Sequence, residues 1–166
     1  YEPRLRSFAD ALQGYWTVHD GIGGFDVLPR PKPVEPYYDD NVWIVLALAE
    51  TYEVTKEAKY LEQAEATFQF VMSGEDDRLD GGLYWHEQEK ESKNTCSNAP
   101  AVVAALRLYQ LTERPEYLDI ARRLYDWTHQ RLQDPADGLF WDNVKLNGEV
   151  DRRKYSYNSA LMIRAN

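Results

Sequence analysis

The chain has 166 residues and a net charge of -9, long enough for one ordinary core and too acidic for the basic stripe that nucleic acid needs. No clustered basic face suits an anionic membrane surface, and no apolar run approaches a spanning helix, so neither nucleic acid binding nor membrane insertion is expected. Cys96 is the only cysteine and cannot close an internal disulfide.

In chain order, RLRSFADALQGY (residues 4–15) predicts one outer helix. No charged and apolar leader precedes that helix, so the natural start is expected to lie outside these residues. A lead-in from Gly14 to Pro36 follows; its GIGG (21–24) has no strand before it and does not read as a phosphate loop. Residues 41–73 predict a helical hairpin. Its first helix, NVWIVLALAETYE, is apolar nearly all round and is expected to be buried on every side. Its second places Tyr60, Leu61, Ala64, Phe68 and Val71 at helical spacing on one face. The acids of GEDDRLDGG (74–82) fit no calcium-loop spacing and read as a solvated turn. A second hairpin is predicted over 99–132, with Pro115 suited to a first helical turn. Residues 157–166 begin a third inner helix, whose Leu161, Met162 and Ile163 are expected to lack an outer helix to cover them.

The chain repeats. Asn41 falls on Asn98, Tyr52 on Tyr109, Thr55 on Thr112 and Tyr60 on Tyr117, each 57 positions apart, and Asn158 follows Asn98 by 60. GGLYW (81–85) resembles DGLFW (137–141). A period of this size means a repeated supersecondary unit. Buried helices alternating with one-sided helices fit two concentric layers, an α/α toroid; a plain solenoid of helix pairs is the alternative. Six pairs need roughly 350 residues, so residues 1–166 are expected to form one partial domain, about half of a six-hairpin ring.

Three loops lead into inner-helix N-termini, which gather at one mouth in a toroid. Asp39, Cys96 and Ser156 share one register, Asp40, Ser97 and Tyr157 the next, and Asn41, Asn98 and Asn158 the third. Asp39-Asp40 admits two readings. Aspartate is a good N-cap and is favoured in a first helical turn. The sister repeats carry no acid pair there, however, and the helix that the pair opens reads as buried. Paired carboxylates are also what glycosidic cleavage requires, one ionised and one holding a proton for the leaving oxygen. Like-charge proximity raises one pKa, while the helix N-terminus lowers that of the carboxylate receiving its N–H groups. Around them Tyr37, Tyr38, Tyr84, Trp85, Phe140, Trp141, Tyr155 and Tyr157 offer flat faces to a sugar ring, and Asn98 and Asn158 offer amides to its hydroxyls. His19, His86 and His129 show no metal-ligand spacing; His86 reads as a surface histidine and Cys96 as a small buried thiol.

Together YYDDNVWIVLALAETYEVT, KYLEQAEATFQF, GGLYW, SKNTCSNAP and KYSYNSA resemble glycoside hydrolase family 76, over about residues 15–166. The resemblance implies an all-α (α/α)6 barrel and a retaining endo-α-1,6-mannanase, without a metal or other cofactor, secreted or periplasmic. By it, Asp39 is the nucleophile and Asp40 the general acid/base. Tyr38, Trp85, Asn98, Trp141, Tyr157 and Asn158 are then expected to contact an α-mannan polysaccharide or mannose oligosaccharide. Two departures stand out: the family's Thr-Gly-Asp-Pro turn is TKEA and TERP here, and the lead-in to Pro36 is unusual. The alternatives are a non-catalytic glycan-binding or scaffold toroid that keeps the pair as caps, and a related six-hairpin carbohydrate epimerase. Epimerases and unsaturated glucuronyl hydrolases of that shape lack the aspartate pair.

Overall fold

The computed structural model describes residues 1–31 and 35–166; Lys32, Pro33 and Val34 of the lead-in lie outside the described residues. In chain order the elements are α1 (Glu2–Ala11) with a 3-10 turn (Leu12–Tyr15), β1 (Trp16–His19), β2 (Ile22–Phe25), α2 (Tyr38–Thr55), α3 (Ala58–Met72), β3 (Ser92–Asn94), α4 (Thr95–Thr112), α5 (Pro115–Leu132), β4 (Asn143–Lys145), β5 (Val150–Asp151) and α6 (Ser156–Ala165).

The inner helices α2 and α4 are matched 18-residue copies. Each ends on a residue in the left-handed region, Lys56 (φ 59°) and Glu113 (φ 58°). Their N–H groups bond the carbonyls of Tyr52 and Tyr109 at 2.7 and 2.8 Å. A glycine would adopt this conformation freely, whereas a side chain is strained in it. The two-residue turns fold α3 back on α2 and α5 back on α4, while α2, α4 and α6 lie side by side. The shared core is apolar: Val42, Val45 and Leu48 from α2, Val102, Ala105 and Leu108 from α4, and Phe68, Val71, Ala121 and Leu124 from the outer layer.

Two expectations about burial are corrected. The inner helices are not covered on every side, since Trp43 of α2 is 47 % exposed. With Ala47, Glu50, Glu53, Leu106, Arg107 and Gln110 it lines a groove of about 750 Å³ on the faces that α2 and α4 turn away from the outer helices. Arg107 pairs there with Glu53. Leu161 and Met162 of α6 are buried by Trp127, Leu132, Phe140 and Val144, and only Ile163 is left bare, at 77 % exposed.

Short strands, unforeseen in the sequence, build the mouth. β1 and β2 form an antiparallel hairpin around Asp20 and Gly21, both at positive φ (48° and 85°). That is the geometry a two-residue Asp-Gly hairpin turn requires. Gly23 and Gly24 are packing glycines: a Cβ would lie 2.0 Å from the Trp16 ring and 2.8 Å from the Phe70 ring, respectively. A second antiparallel sheet, ordered β3-β4-β5, ties the second loop to the third.

Asparagine side chains fasten these loops to the inner helices. The Asn41 amide donates to the carbonyl oxygens of Phe25 (2.9 Å) and Tyr37 (2.8 Å), and its Oδ1 accepts the Phe25 N–H at 2.7 Å. Asn98 repeats this one unit later, donating to Leu83 (3.0 Å) and Asn94 (2.8 Å) and accepting the Leu83 N–H at 2.8 Å. Asn98 is fully buried and its amide is committed to backbone, which corrects its expected contact with substrate. Asn158 is also fully buried, so it does not face a ligand either; neither of its amide atoms has a partner among the described residues. In that third loop Leu139 instead turns on itself, its N–H on Asp137 Oδ1 and its carbonyl on the Asp134 N–H.

Replacing Asn98 with Ala strands the Leu83 peptide group in a dry interior, and unfolding stability should fall by about 3 kcal/mol. A urea titration checks this; an unchanged midpoint would show that the amide does not hold the loop.

Candidate active site

The aspartate pair opens α2 without capping it. Tyr37 occupies the N-cap position and makes no side-chain cap bond, which leaves Asp39 and Asp40 in the first turn. Asp39 Oδ2 accepts the indole N–H of Trp85 at 3.0 Å. Its Oδ1 is buried and meets no donor of ordinary geometry among the described residues. Burial, then repulsion from Asp40, pushes Asp39 up to about 6. The Trp85 indole, the Asp40 backbone N–H and the Cys96 thiol draw it partly back. The carboxyl of Asp40, on the more open side of the turn, is also raised by burial. Cys96 belongs to the same cluster: burial and then the charge of Asp39 and of Asp142 push its thiol strongly up, so it stays protonated.

A pocket of about 400 Å³ surrounds Asp39. The starts of α2, α4 and α6 each contribute a wall residue, Asp39, Cys96 and Tyr157, and the loops add Trp85, Asn94, Asp142, Arg153 and Tyr155. Trp85 and Tyr157 are 42 % and 46 % exposed, and Tyr155 stacks on Tyr157 with ring centroids 5.7 Å apart. This face suits the C–H surface of a sugar ring.

Other expected contacts are placed elsewhere. Tyr38 is buried, stacked on Phe70 at 5.3 Å, and Gly74 packs against its ring. A tyrosine at the first position of a helix whose next turn enters the core is drawn inward with it, so Tyr38 is corrected to a core residue. Tyr84 and Phe140 are buried too. Trp141 does not line the pocket; its indole bonds Asp134 Oδ2 at 3.2 Å, and the Arg152 guanidinium lies 5.4 Å from its ring centroid. His86 is buried rather than at the surface, edge-on to Tyr37, with Nδ1 accepting the Glu89 N–H at 2.8 Å. Among the described residues no group of three His, Cys, Asp or Glu side chains could hold a metal ion.

Sequence reasoning missed several pocket residues, Ser92, Asn94, Asp142, Asn143 and Arg153, of which Asp142 is the acid. Asp142 follows DGLFW as His86 follows GGLYW, but His86 is buried against Tyr37, so the repeat gave no signal for the acid. Its Oδ2 accepts from Asn143 at 3.1 Å and lies 3.8 Å from Arg153, which also pairs with Asp151.

The family model for glycosyl hydrolase family 76 matches residues 6–166. An unsaturated glucuronyl hydrolase of Formosa agariphila is 32 % identical over 154 residues, which are 86 % of this chain and 37 % of that protein. The structure of a family 76 α-mannanase of Bacteroides thetaiotaomicron superposes with a TM-score of 0.89 at 34 % identity, covering 99 % of this chain and 49 % of its own. An α-1,6-mannanase of Salegentibacter sp. is also similar; its structure is of an inactive variant with two consecutive aspartates changed to asparagine, in complex with α-1,6-mannotriose. There the TM-score is 0.74 at 34 % identity, covering 78 % of this chain and 39 % of that one. The chain thus spans at most about half the length of these proteins. The helical hairpins and the match along nearly the whole sequence agree: this chain belongs to glycosyl hydrolase family 76.

Proposed function

We propose that the complete protein hydrolyses α-1,6-linked mannan by double displacement, with Asp39 as nucleophile and Asp40 as general acid/base. The observation that carries this reading is the Asp39 carboxyl: the Trp85 indole anchors one oxygen, burial pushes its pKa up to about 6, and a second carboxyl adjoins it. The chain has one other Asp-Asp pair, Asp76-Asp77, but Asp76 is bound to Lys93 and Tyr84. The consecutive aspartates replaced in the inactive α-1,6-mannanase favour the same kind of pair as the reacting groups.

The chemistry follows from the two environments. A carboxyl titrating at about 6 is mostly ionised at neutral pH, so Asp39 is able to attack the anomeric carbon as a carboxylate. As the glycosidic bond breaks, Asp40 gives its proton to the leaving oxygen. Asp40 then takes a proton from water, the water oxygen attacks the same carbon, and Asp39 is released. Before the first step the negative charge on Asp39 favours a proton on Asp40; once Asp39 is esterified that charge is gone, and Asp40 remains ionised to act as the base. Stacking on Trp85, Tyr155 and Tyr157 holds the sugar, while Asp142 and Asn94 are placed to accept or donate hydroxyl hydrogen bonds.

The glucuronyl hydrolase among the relatives suggests a second reading, an acidic unsaturated sugar. The charge of the pocket opposes it. Asp39 and Asp142 line the wall, and the one lining cation among the described residues, Arg153, is already paired with carboxylates. A neutral hexose fits better.

Single Asp39→Asn and Asp40→Asn substitutions should each lower turnover on α-1,6-mannan by roughly 10²-fold or more, with the fold retained. Reducing-end release measures this, and near-normal hydrolysis by both variants would remove the enzyme reading. The first product should be the α-anomer in an NMR time course, since two displacements restore configuration; β-mannose first would contradict the mechanism.

The raised Asp39 carboxyl also predicts a pH signature. Between pH 3.8 and about 6 the folded state binds a proton that the unfolded state has lost, so this group's contribution to stability declines as pH rises through that window. Asp39→Asn should therefore stabilise the protein at pH 7 by ~1–3 kcal/mol and much less at pH 3.5. Thermal unfolding at the two pH values tests it. In the same protein the acid limb of kcat/KM should fall near pH 6.

A further inference from the structure

Two lysines close two acidic loops in the same manner. Lys93, in β3, is fully buried, and its ammonium donates to Asp76 Oδ1 (2.7 Å) and to the carbonyls of Asp76 (3.3 Å), Arg78 (2.7 Å) and Gly81 (2.7 Å). The Tyr84 hydroxyl donates to the other Asp76 oxygen at 2.8 Å, and Lys93 Nζ stands 4.7 Å from the Tyr84 ring centroid. The loop expected to be a solvated turn is thus wrapped around an internal cation, much as oxygen-rich loops wrap a hard metal ion. Its backbone needs an external hold. Leu79, Asp80, Gly81 and Gly82 all have positive φ (56°, 62°, 116° and 79°), and such runs persist only when their surroundings over-determine them.

One repeat later Lys154 bonds Asp134 Oδ2 at 2.6 Å and Asp137 Oδ2 at 2.7 Å. Lys93 precedes Asn98 by five residues, and Lys154 precedes Asn158 by four. Both closed loops run straight into the repeated Gly-Leu-aromatic-Trp segment. Gly81 is four residues from Trp85, and the Trp141 indole shares Asp134 Oδ2 with Lys154.

We propose that Lys93 and Lys154 are positioning residues: their ammonium groups fix the loops that bring Trp85 and, through the segment ending at Trp141, Asp142 to the pocket wall, and Lys93 thereby holds the Trp85 indole on Asp39. The catalytic part of this proposal rests on Asp39 acting as the nucleophile. Trp85 depends on its loop for aim. Its N–H and carbonyl reach Ser92 and the start of α2, at 3.3 and 2.9 Å, while the chain before it is held by the Asn98 clamp on Leu83 and by Lys93. An uncharged side chain in place of Lys93 leaves a carboxylate and three carbonyls converging on nothing. The groups facing Asp39 are Asp40 from its own helix, Trp85 from this loop, Cys96 from α4, Asp142 from the loop before β4 and Tyr157 from α6. Of these the indole is the one Lys93 controls.

The test uses the full-length enzyme, with Lys93→Met, Lys154→Met and Lys93→Ala, the last with and without propylammonium. Lys93→Met should lower kcat/KM on α-1,6-mannan by on the order of 10²-fold, mainly in kcat, as misplacement at a reacting centre does. It should also move the acid limb to higher pH, because Asp39 loses the N–H that draws its pKa down. Propylammonium should restore activity to Lys93→Ala, while propanol should not. Lys154→Met, on a partly exposed loop, should raise KM several-fold and leave kcat and the acid limb in place. The Trp85 indole N–H resonance should titrate with Asp39 in the unsubstituted protein and lose that titration in Lys93→Met. A folded Lys93→Met with unchanged kcat/KM and indole titration overturns the proposal. So does an unchanged KM in Lys154→Met, which decides the matter even where Lys93 variants fail to fold. If the unsubstituted enzyme leaves mannan intact, the mannanase reading falls, and the indole resonance still decides whether Lys93 sets Trp85.

Discussion

A primary amide mates with a peptide group on both sides at once, giving an N–H to its carbonyl and taking an N–H from its nitrogen. Asn41 and Asn98 use that property to hold Phe25 and Leu83 against the starts of α2 and α4. The first two loops of the mouth take their position from these two grips. In a fully buried setting the bonds are worth more than in water, and leaving them unmade is costly. The first two loops are therefore anchored to buried residues in the N-terminal turns of the inner helices, and not merely to one another.

That anchoring makes the unusual state of Asp39 sustainable. A carboxyl near the mouth would normally relax toward water or take up the free N–H groups of its helix start. Here the helix opens on Tyr37, the Trp85 carbonyl takes the Tyr38 N–H, and the Trp85 indole occupies one oxygen of Asp39. What remains is a partly desolvated carboxyl beside another, with a protonated thiol and a third acid, Asp142, nearby. Stability and reactivity are opposed at this spot, as they commonly are where a site holds a charge it would rather lose. The cost is local, borne by one turn of α2, while the hairpin cores carry no such burden.

The helices were legible because their signals are periodic. The 57-residue offset, the apolar inner runs and the Tyr60 to Val71 stripe carry the two hairpins and their layers, and the aspartate pair was visible as an exception within the repeat. The mouth was less legible, for physical reasons. Strands of two to four residues have too few positions to show alternation, although Asp20-Gly21 marked one hairpin. Asparagine at a helix start serves a sugar hydroxyl or a peptide group with the same atoms, and only burial separates the two uses at Asn98. Tyr38 and Trp85 are both aromatic residues beside the acid pair, yet one points into the core and the other out. A lysine that neutralises a loop 15 residues away is invisible to any local pattern, and so Lys93 gave no sign of its role.

The left-handed ends of α2 and α4 carry a consequence of their own. Lys56 and Glu113 occupy a backbone state that costs a side-chain-bearing residue about 1 kcal/mol, at the pole of each hairpin opposite the acid pair. Repeating the turn in both hairpins places two independent adjustments at that pole. Glycine at these corners would tighten the fold, and lysine or glutamate loosens it, with no atom of the cleft displaced. Stability of these two hairpins can thus be tuned at corners that lie far from the acid pair.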